Sequence, residues 1–217
     1  MSRLNVANFR HPDATADSVV ITSDGDTQIQ RALGLGGATY GTSGQVLTSA
    51  GSGAVPTWET PTETNLTRGT AVATTSGTSI DFSSLPSGIR RITLLMDNVQ
   101  TNGTSRVCVR VGTGGTVETS GYSGTVRQDA ASQSMDTSFE FDTAANATGT
   151  RQVTMFLHNV DGNTWLMSSL CGRGDGDNGS YAAGRIALSD TLDIVSITTF
   201  NGTDTFDGGT ANIFYEV

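Results

Sequence analysis

The sequence contains no lysine, and it has only two cysteines, two histidines and four prolines. Its twelve arginines are outnumbered by twenty-one acidic residues, which leaves a net charge of −9. Binding to a polyanion needs clustered positive charge, and because none is visible along the chain we expect no nucleic-acid partner. No apolar run is long enough to cross a bilayer and none opens the chain, so we expect cytoplasmic folding without membrane insertion.

The scarcity of cysteine and histidine also argues against several kinds of site. Cys108 and Cys171 belong to a chain expected in a reducing compartment, so no disulfide is predicted between them. His11 and His158 have no cysteine or histidine partner at the spacing of a zinc site. No Ser/His/Asp or Cys/His arrangement indicates nucleophilic catalysis. The sequence therefore predicts neither a metal nor a cofactor.

Glycine, threonine and serine are abundant, and strand-like stretches lie between them. Twenty-seven glycines and only 15% charged residues are typical of short strands joined by turns. The clearest stretch runs from Gly88 to Gly112, where apolar and polar residues alternate on both sides of Asn102-Gly103. Asn-Gly tolerates the positive φ of a tight turn. This pattern predicts a long hairpin with one apolar face, which a second sheet must cover.

Strand signals continue densely to the carboxyl end of the chain. About ten strand-like segments follow Gly69, each separated from the next by turn residues. They predict an antiparallel β-sandwich with a jelly-roll-like order for residues 70–217. Trp165 is expected to pack in the core of that sandwich rather than to stack on a sugar.

Residues 1–69 differ from the rest because they contain few apolar side chains. In the segment 44–59 the larger apolar residues are Val46, Leu47, Val55 and Trp58. Ordering these sixteen residues costs about 24 kcal/mol, at ~1.5 kcal/mol each. Burial of Trp58 returns ~4–6 kcal/mol, and burial of each aliphatic side chain returns ~2 kcal/mol. The segment is therefore either disordered or ordered by neighbouring chains.

Several motifs resemble a known family of proteins. GQVLTS followed by PTWE resembles an element that recurs in bacteriophage tail fibres and related virion appendages. The first residues are similar to the starts of structural proteins from marine and cyanobacterial phages, and three later stretches resemble the C-terminal β-sandwich of phage fibres. In chain order these segments are Asn8–Pro12, Ser18–Asp26, Gly44–Ser49, Pro56–Glu59, Leu85–Ser105, Glu118–Gly124 and Ile197–Glu216.

The resemblance implies a non-enzymatic structural protein of the virion that forms a homotrimer. Residues 1–69 would supply an attachment arm, which binds other virion proteins, and an intertwined stalk. Residues 70–217 would form a head that binds a host-surface glycan or protein. The residues expected to pack around the stalk axis are Val46, Leu47, Val55 and Trp58. A trimeric capsid decoration or cement protein is the alternative, and a polysaccharide depolymerase tip is a third interpretation.

The loop from Arg173 to Gly179 is the most polar in the head and contains Arg-Gly-Asp. Its acidic residues lack the twelve-residue spacing and terminal glutamate of an EF-hand calcium loop. One interpretation is a receptor-facing loop, because loops on rigid scaffolds carry many binding residues. The other interpretation is a mobile hairpin tip. The candidate receptor-facing residues are Arg173, Asp175, Asp177 and Asn178.

Carboxylates near the middle of the head raise the question of a glycosidase. A retaining pair needs two carboxyl groups about 5–5.5 Å apart in a cleft. Glu140 and Asp142 alternate with Phe139 and Phe141, and Asp136 precedes them. The alternation places the carboxylates on a polar outer face in solvent. We therefore predict no enzymatic activity.

Overall fold

The computed structural model shows an all-β chain, as the sequence predicted. Throughout the described residues the regular elements are β-strands, their pairing is antiparallel, and none is a helix. These residues accordingly include no helix of the length and apolar character needed to cross a membrane. The described residues are 8–9, 19–21, 23–24, 26–29, 33–35, 39–61, 66–143, 146–176 and 178–217.

The chain divides into two compact units, residues 1–63 and residues 64–217. The sequence placed this boundary between residues 69 and 70. The second unit, called the head below, begins earlier because the strand Leu66–Arg68 pairs with the last strand of the chain. The first is called the N-terminal unit.

The N-terminal unit contains short strands in small antiparallel sheets. In chain order they are β1 (Asn8–Phe9), β2 (Val19–Ile21), β3 (Thr27–Ile29), β4 (Gly34–Leu35), β5 (Thr39–Tyr40), β6 (Val46–Thr48) and β7 (Thr57–Glu59). Within the described residues of this unit the sheets are β1-β2-β3, β4-β5 and β6-β7. Such small sheets do not enclose a core, and every side chain of β6 is exposed. The intertwined stalk stays a prediction.

The head contains two larger sheets, whose strands are between two and eleven residues long. In chain order they are β8 (Leu66–Arg68), β9 (Val72–Ala73), β10 (Ser79–Phe82), β11 (Arg91–Thr101), β12 (Val107–Thr113), β13 (Thr116–Val117), β14 (Ser123–Gln128), β15 (Ala131–Ser134), β16 (Phe139–Glu140), β17 (Arg151–Asp161), β18 (Thr164–Arg173), β19 (Gly179–Ala187), β20 (Ile194–Thr199) and β21 (Phe206–Glu216). The large sheet has the order β15-β14-β19-β18-β17-β11-β21-β8, with β9 also paired to β21. The small sheet has the order β10-β20-β12-β13, with β16 also paired to β12.

The predicted hairpin between β11 and β12 is wrong, although both strands form. β11 pairs with β17 and β21 in the large sheet, whereas β12 pairs with β13, β16 and β20 in the small sheet. Asn102-Gly103 therefore lies where the chain crosses between sheets. Asn102 instead bonds to the turn before β21: its N–H donates to the Thr205 carbonyl oxygen at 2.9 Å, and its Oδ1 accepts from the Thr205 N–H at 2.9 Å.

The two sheets share one apolar core, an arrangement consistent with a β-sandwich. Trp165 is buried in this core, as predicted, and Tyr122 meets the ring of Phe139 edge-on at 4.9 Å between centroids. Cys108 and Cys171 are unbridged and buried, and burial raises the pKa of each thiol to about 11. Other core side chains include Ile92, Leu94, Val107, Val109, Val111, Val126, Phe141, Met155, Leu157, Val195, Ile197 and Phe206. The jelly-roll order stays a prediction.

Candidate functional site

The polar loop after β18 does not present its arginine to solvent. The Arg173 side chain is 4% exposed and donates two hydrogen bonds to Asp175, from Nε to Oδ1 at 2.9 Å and from Nη2 to Oδ2 at 2.5 Å. These bonds hold the pKa of Asp175 below its usual range. Asp175 and Asn178 are exposed, and Asp177 lies outside the described residues. A receptor contact by this loop stays a prediction.

Beneath the loop lies a buried ion pair between Asp142 and Arg151. Asp142 Oδ2 accepts a hydrogen bond from Arg151 Nε at 2.7 Å, and Arg173 Nη1 lies 3.8 Å from the same oxygen. Both side chains of the pair are fully buried. Burial raises the pKa of Asp142, although the two guanidinium groups act in the opposite direction. Removing either partner of such a pair leaves a charge without compensation inside the protein.

The prediction that Glu140 and Asp142 face solvent is wrong. Both carboxylates are buried, whereas Asp136 is exposed. Glu140 Oε2 lies 2.9 Å from Arg106 Nε, and burial raises the pKa of Glu140. The alternation with phenylalanine indicated two different faces, but protein covers both faces of this segment. Arg106 and Arg151 make the burial tolerable because a buried charge needs a partner of opposite sign.

The ion pairs connect the loop before β17 to the loop after β18. Arg151 Nη1 donates to the Gly149 carbonyl oxygen at 3.0 Å, and Asn146 Nδ2 donates to Asp175 Oδ2 at 2.6 Å. A Cβ atom on Gly149 would lie 2.3 Å from Arg173 Nη2. A side chain larger than that of glycine would therefore have to displace the guanidinium, which its bonds to Asp175 hold in place. Charged side chains that are buried in the head therefore hold the loop that was predicted to face a receptor.

Three of the four residues predicted to pack in the stalk are exposed in the single chain. Val46 is 48% exposed, Leu47 44% and Val55 57%. Trp58 is half-buried, and its ring lies so close to Gly41 that a Cβ there would be 2.6 Å from Cδ2. Trp58 Nε1 has no hydrogen-bond partner among the described residues. The N-terminal unit thus leaves apolar surface uncovered.

The head carries a groove of about 920 Å³ on the outer face of its large sheet, called the outer-face groove below. Its volume falls in the range of ligand sites in proteins, about 300–1,000 Å³. The lining includes Arg68, Leu95, Gln152, Leu170, Tyr181 and Phe214. Apolar and polar side chains therefore meet in one concave surface.

Strand register arranges exposed apolar residues in rows across this face. Leu170 pairs with Thr154 on β17 and with Tyr181 on β19, and Thr154 pairs with Leu95 on β11. Leu170 is 68% exposed and Tyr181 62%. Phe156 lies two residues from Thr154 and is also exposed. Exposed apolar surface rimmed by polar residues marks interaction sites in soluble proteins.

The same register gathers exposed arginines on this face. Arg127 on β14 pairs with Tyr181, and Arg185 on β19 pairs with Leu166. Both arginines are exposed. A cationic side chain therefore stands beside an exposed apolar one at two places on the face.

Two further arginines complete the set at the other side of the sheet. Arg68 on β8 pairs with Phe214, and its guanidinium carbon lies 5.8 Å from the centre of that ring. Arg91 on β11 forms an ion pair with Glu216. The four arginines are far apart in the sequence, and strand register places them on the same face of the large sheet.

Sequence reasoning missed this face because it depends on the pairing of distant strands. A signal was nevertheless present in the sequence. Every second residue of β17, β18 and β19 faces the core, and the residues between them, where polar side chains are expected, include Phe156, Leu166, Leu170 and Tyr181.

In the described part of the chain, no group of three or more His, Cys, Asp or Glu side chains is placed to hold a metal ion. No family model, no curated protein and no solved structure matches the chain.

Proposed function

We propose that the chain is a non-enzymatic structural protein of a bacteriophage virion. It is an appendage of the tail-fibre type, which attaches to the particle through its N-terminal arm and contacts the host surface through a jelly-roll head. The observation that carries this proposal is the contrast between an N-terminal unit with exposed apolar residues and a head with a developed core. The sequence resemblance to phage fibres supplies the biological setting.

The exposed apolar residues of the N-terminal unit support assembly into a homotrimer with an intertwined stalk. Val55 and Trp58 line a groove of about 470 Å³ together with Leu35 and Tyr40. Symmetric association of copies buries such surface at a shared axis and stabilises the folded form by mass action. The stalk in this proposal is a structure that exists only in the assembly.

The head supports the host-contacting role in two ways. Its core holds the loops and the outer-face groove on a rigid scaffold, which favours binding. Glu140 and Asp142 are buried in ion pairs, and this burial supports a role without glycoside hydrolysis. The proposal therefore assigns binding to the head and no reaction.

Microscopy of intact phage particles that carry this chain tests the proposal. Antibody label at the distal ends of tail projections is the expected result, and label distributed over the capsid shell identifies a decoration protein instead. Purified chain added to host cells is expected to compete with particles for adsorption. New reducing ends after incubation with host envelope polysaccharide contradict the non-enzymatic assignment.

A further inference from the structure

The outer face of the large sheet has a charge opposite to that of the chain. The whole chain has a net charge of −9, yet the cross-strand rows around the groove carry four arginines against one glutamate. Those residues are Arg68, Arg91, Arg127, Arg185 and Glu216. One further carboxylate, Asp97, lines the groove and accepts a hydrogen bond from Asn98. Most of the acidic residues therefore lie elsewhere in the chain.

Of the four arginines, Arg68 lines the groove, and Arg127 stands beside it because it pairs with the lining residue Tyr181. Arg68 on β8 and Arg127 on β14 lie six strands apart, which is about 29 Å at ~4.8 Å per strand. Between them run Leu95, Leu170 and Tyr181, with the amide of Gln152 alongside. A guanidinium binds carboxylate or sulfate oxygens in a planar, two-bond geometry.

We propose that the outer-face groove binds a glycan that carries carboxylate or sulfate groups. The inference rests on the proposed host-surface function and specifies its ligand class and its site. Sugar rings have apolar C–H faces and polar edges, and the groove offers the aromatic rings of Tyr181 and Phe214 next to amide and hydroxyl groups of Gln152 and Thr154. Arg68 in the groove and Arg127 beside it favour an anionic chain over a neutral one.

The charge pattern disfavours a second copy of this chain as the occupant. Pairing of two identical faces would place arginines against arginines, and like charges across an interface cost several kcal/mol. A different surface of the neighbour would need exposed apolar residues that match the groove. The head's other exposed apolar residues include Leu66, Val72, Val160, Phe200 and Val217, and the assembly mass of the Tyr181→Ala variant tests whether such a surface meets the groove.

Binding of the full chain to matched polymers tests the proposal. The probes are dextran sulfate for sulfate, polygalacturonate for carboxylate, and unmodified dextran as the neutral control, each measured by titration calorimetry. We expect binding to at least one anionic polymer and none to dextran, with an affinity that falls as salt is added. Because the chain is acidic overall, general electrostatic attraction does not predict this result.

Substitutions on the face locate the site. Arg127→Gln and Arg185→Gln are each expected to raise Kd about tenfold, and Tyr181→Ala about fivefold. Arg90→Gln is the matched control, because Arg90 is exposed but lies neither in the groove lining nor in the cross-strand rows that carry Arg127 and Arg185. An unchanged Kd for Arg90→Gln together with weaker binding by the other three supports the proposal.

Four outcomes would overturn it. They are absence of binding to both anionic polymers, equal weakening by Arg90→Gln, equally tight binding to duplex DNA, and a lower assembly mass in the Tyr181→Ala variant. The last would identify the face as an interface between copies. If the chain blocks phage adsorption while all variants block it equally, the groove assignment fails and the proposed function stands; if the chain never blocks adsorption, the proposed function itself fails.

Discussion

The N-terminal unit and the head use similar turn-rich sequences but differ in how their apolar residues are placed. In the head, β11 alternates so that Ile92 and Leu94 are fully buried against the opposite sheet. In the N-terminal unit, β6 and β7 pair correctly, with Leu47 opposite Trp58, yet Val46 and Leu47 remain about half exposed. Strand pairing alone therefore does not produce a core.

The difference shows that a strand needs a second apolar layer to be stable. A two-stranded sheet is marginal in water because it buries little apolar area against the conformational entropy it loses. The head supplies its second layer from its own chain. In our proposal the N-terminal unit obtains that layer from neighbouring copies.

The largest effect is expected from removing a core aromatic ring in the head. Phe139 is fully buried against Tyr122, so Phe139→Ala should lower the free energy of unfolding by about 3–5 kcal/mol. Phe156→Ala, on the exposed face, is the matched control and should cost less than about 1 kcal/mol. Urea unfolding followed by near-ultraviolet circular dichroism measures both. Similar losses in the two variants would remove the distinction between core and outer face.

A smaller loss is expected from neutralising the buried carboxylate under the polar loop. Asp142→Asn removes the buried carboxylate that pairs with Arg151 and should cost about 3 kcal/mol in the same unfolding assay. This expected loss lies at the low end of the range for broken buried ion pairs because Asp175 still neutralises the charge of Arg173. Asp136→Asn is the control, since Asp136 is exposed. No loss in Asp142→Asn would mean that the ion pair is dispensable.

The smallest effect concerns the close approach at Gly149. Gly149→Ala should cost about 1–3 kcal/mol because the added Cβ meets the Arg173 guanidinium. Gly172→Ala is the matched control, since a Cβ there meets nothing within 4 Å. Amide hydrogen exchange should show faster opening of residues 146–150 in the first variant alone. Equal exchange rates at residues 146–150 in both variants would contradict the claim that the ion pairs hold this loop in place.

Local pattern was enough to predict the all-β class and the burial of Trp165, because alternation and turn residues act within a few residues. It was not enough to predict sheet membership. β11 and β12 were expected to pair with each other, but they lie in different sheets and each contributes its apolar face to the shared core. Burial of Glu140 and Asp142 was missed because Arg106 and Arg151, which neutralise them, come from other parts of the chain. The outer-face arginines were missed for the same reason.

The mass of the full chain in solution tests the central claim most directly. Sedimentation equilibrium should give three times the 22.5 kDa chain mass, with Trp58 fluorescence shielded in the assembly. Leu47→Asp should lower that mass, because it places a charge in the proposed stalk interface. A single-chain mass with an equally shielded Trp58 would contradict the account, since the N-terminal unit would then be ordered without its copies.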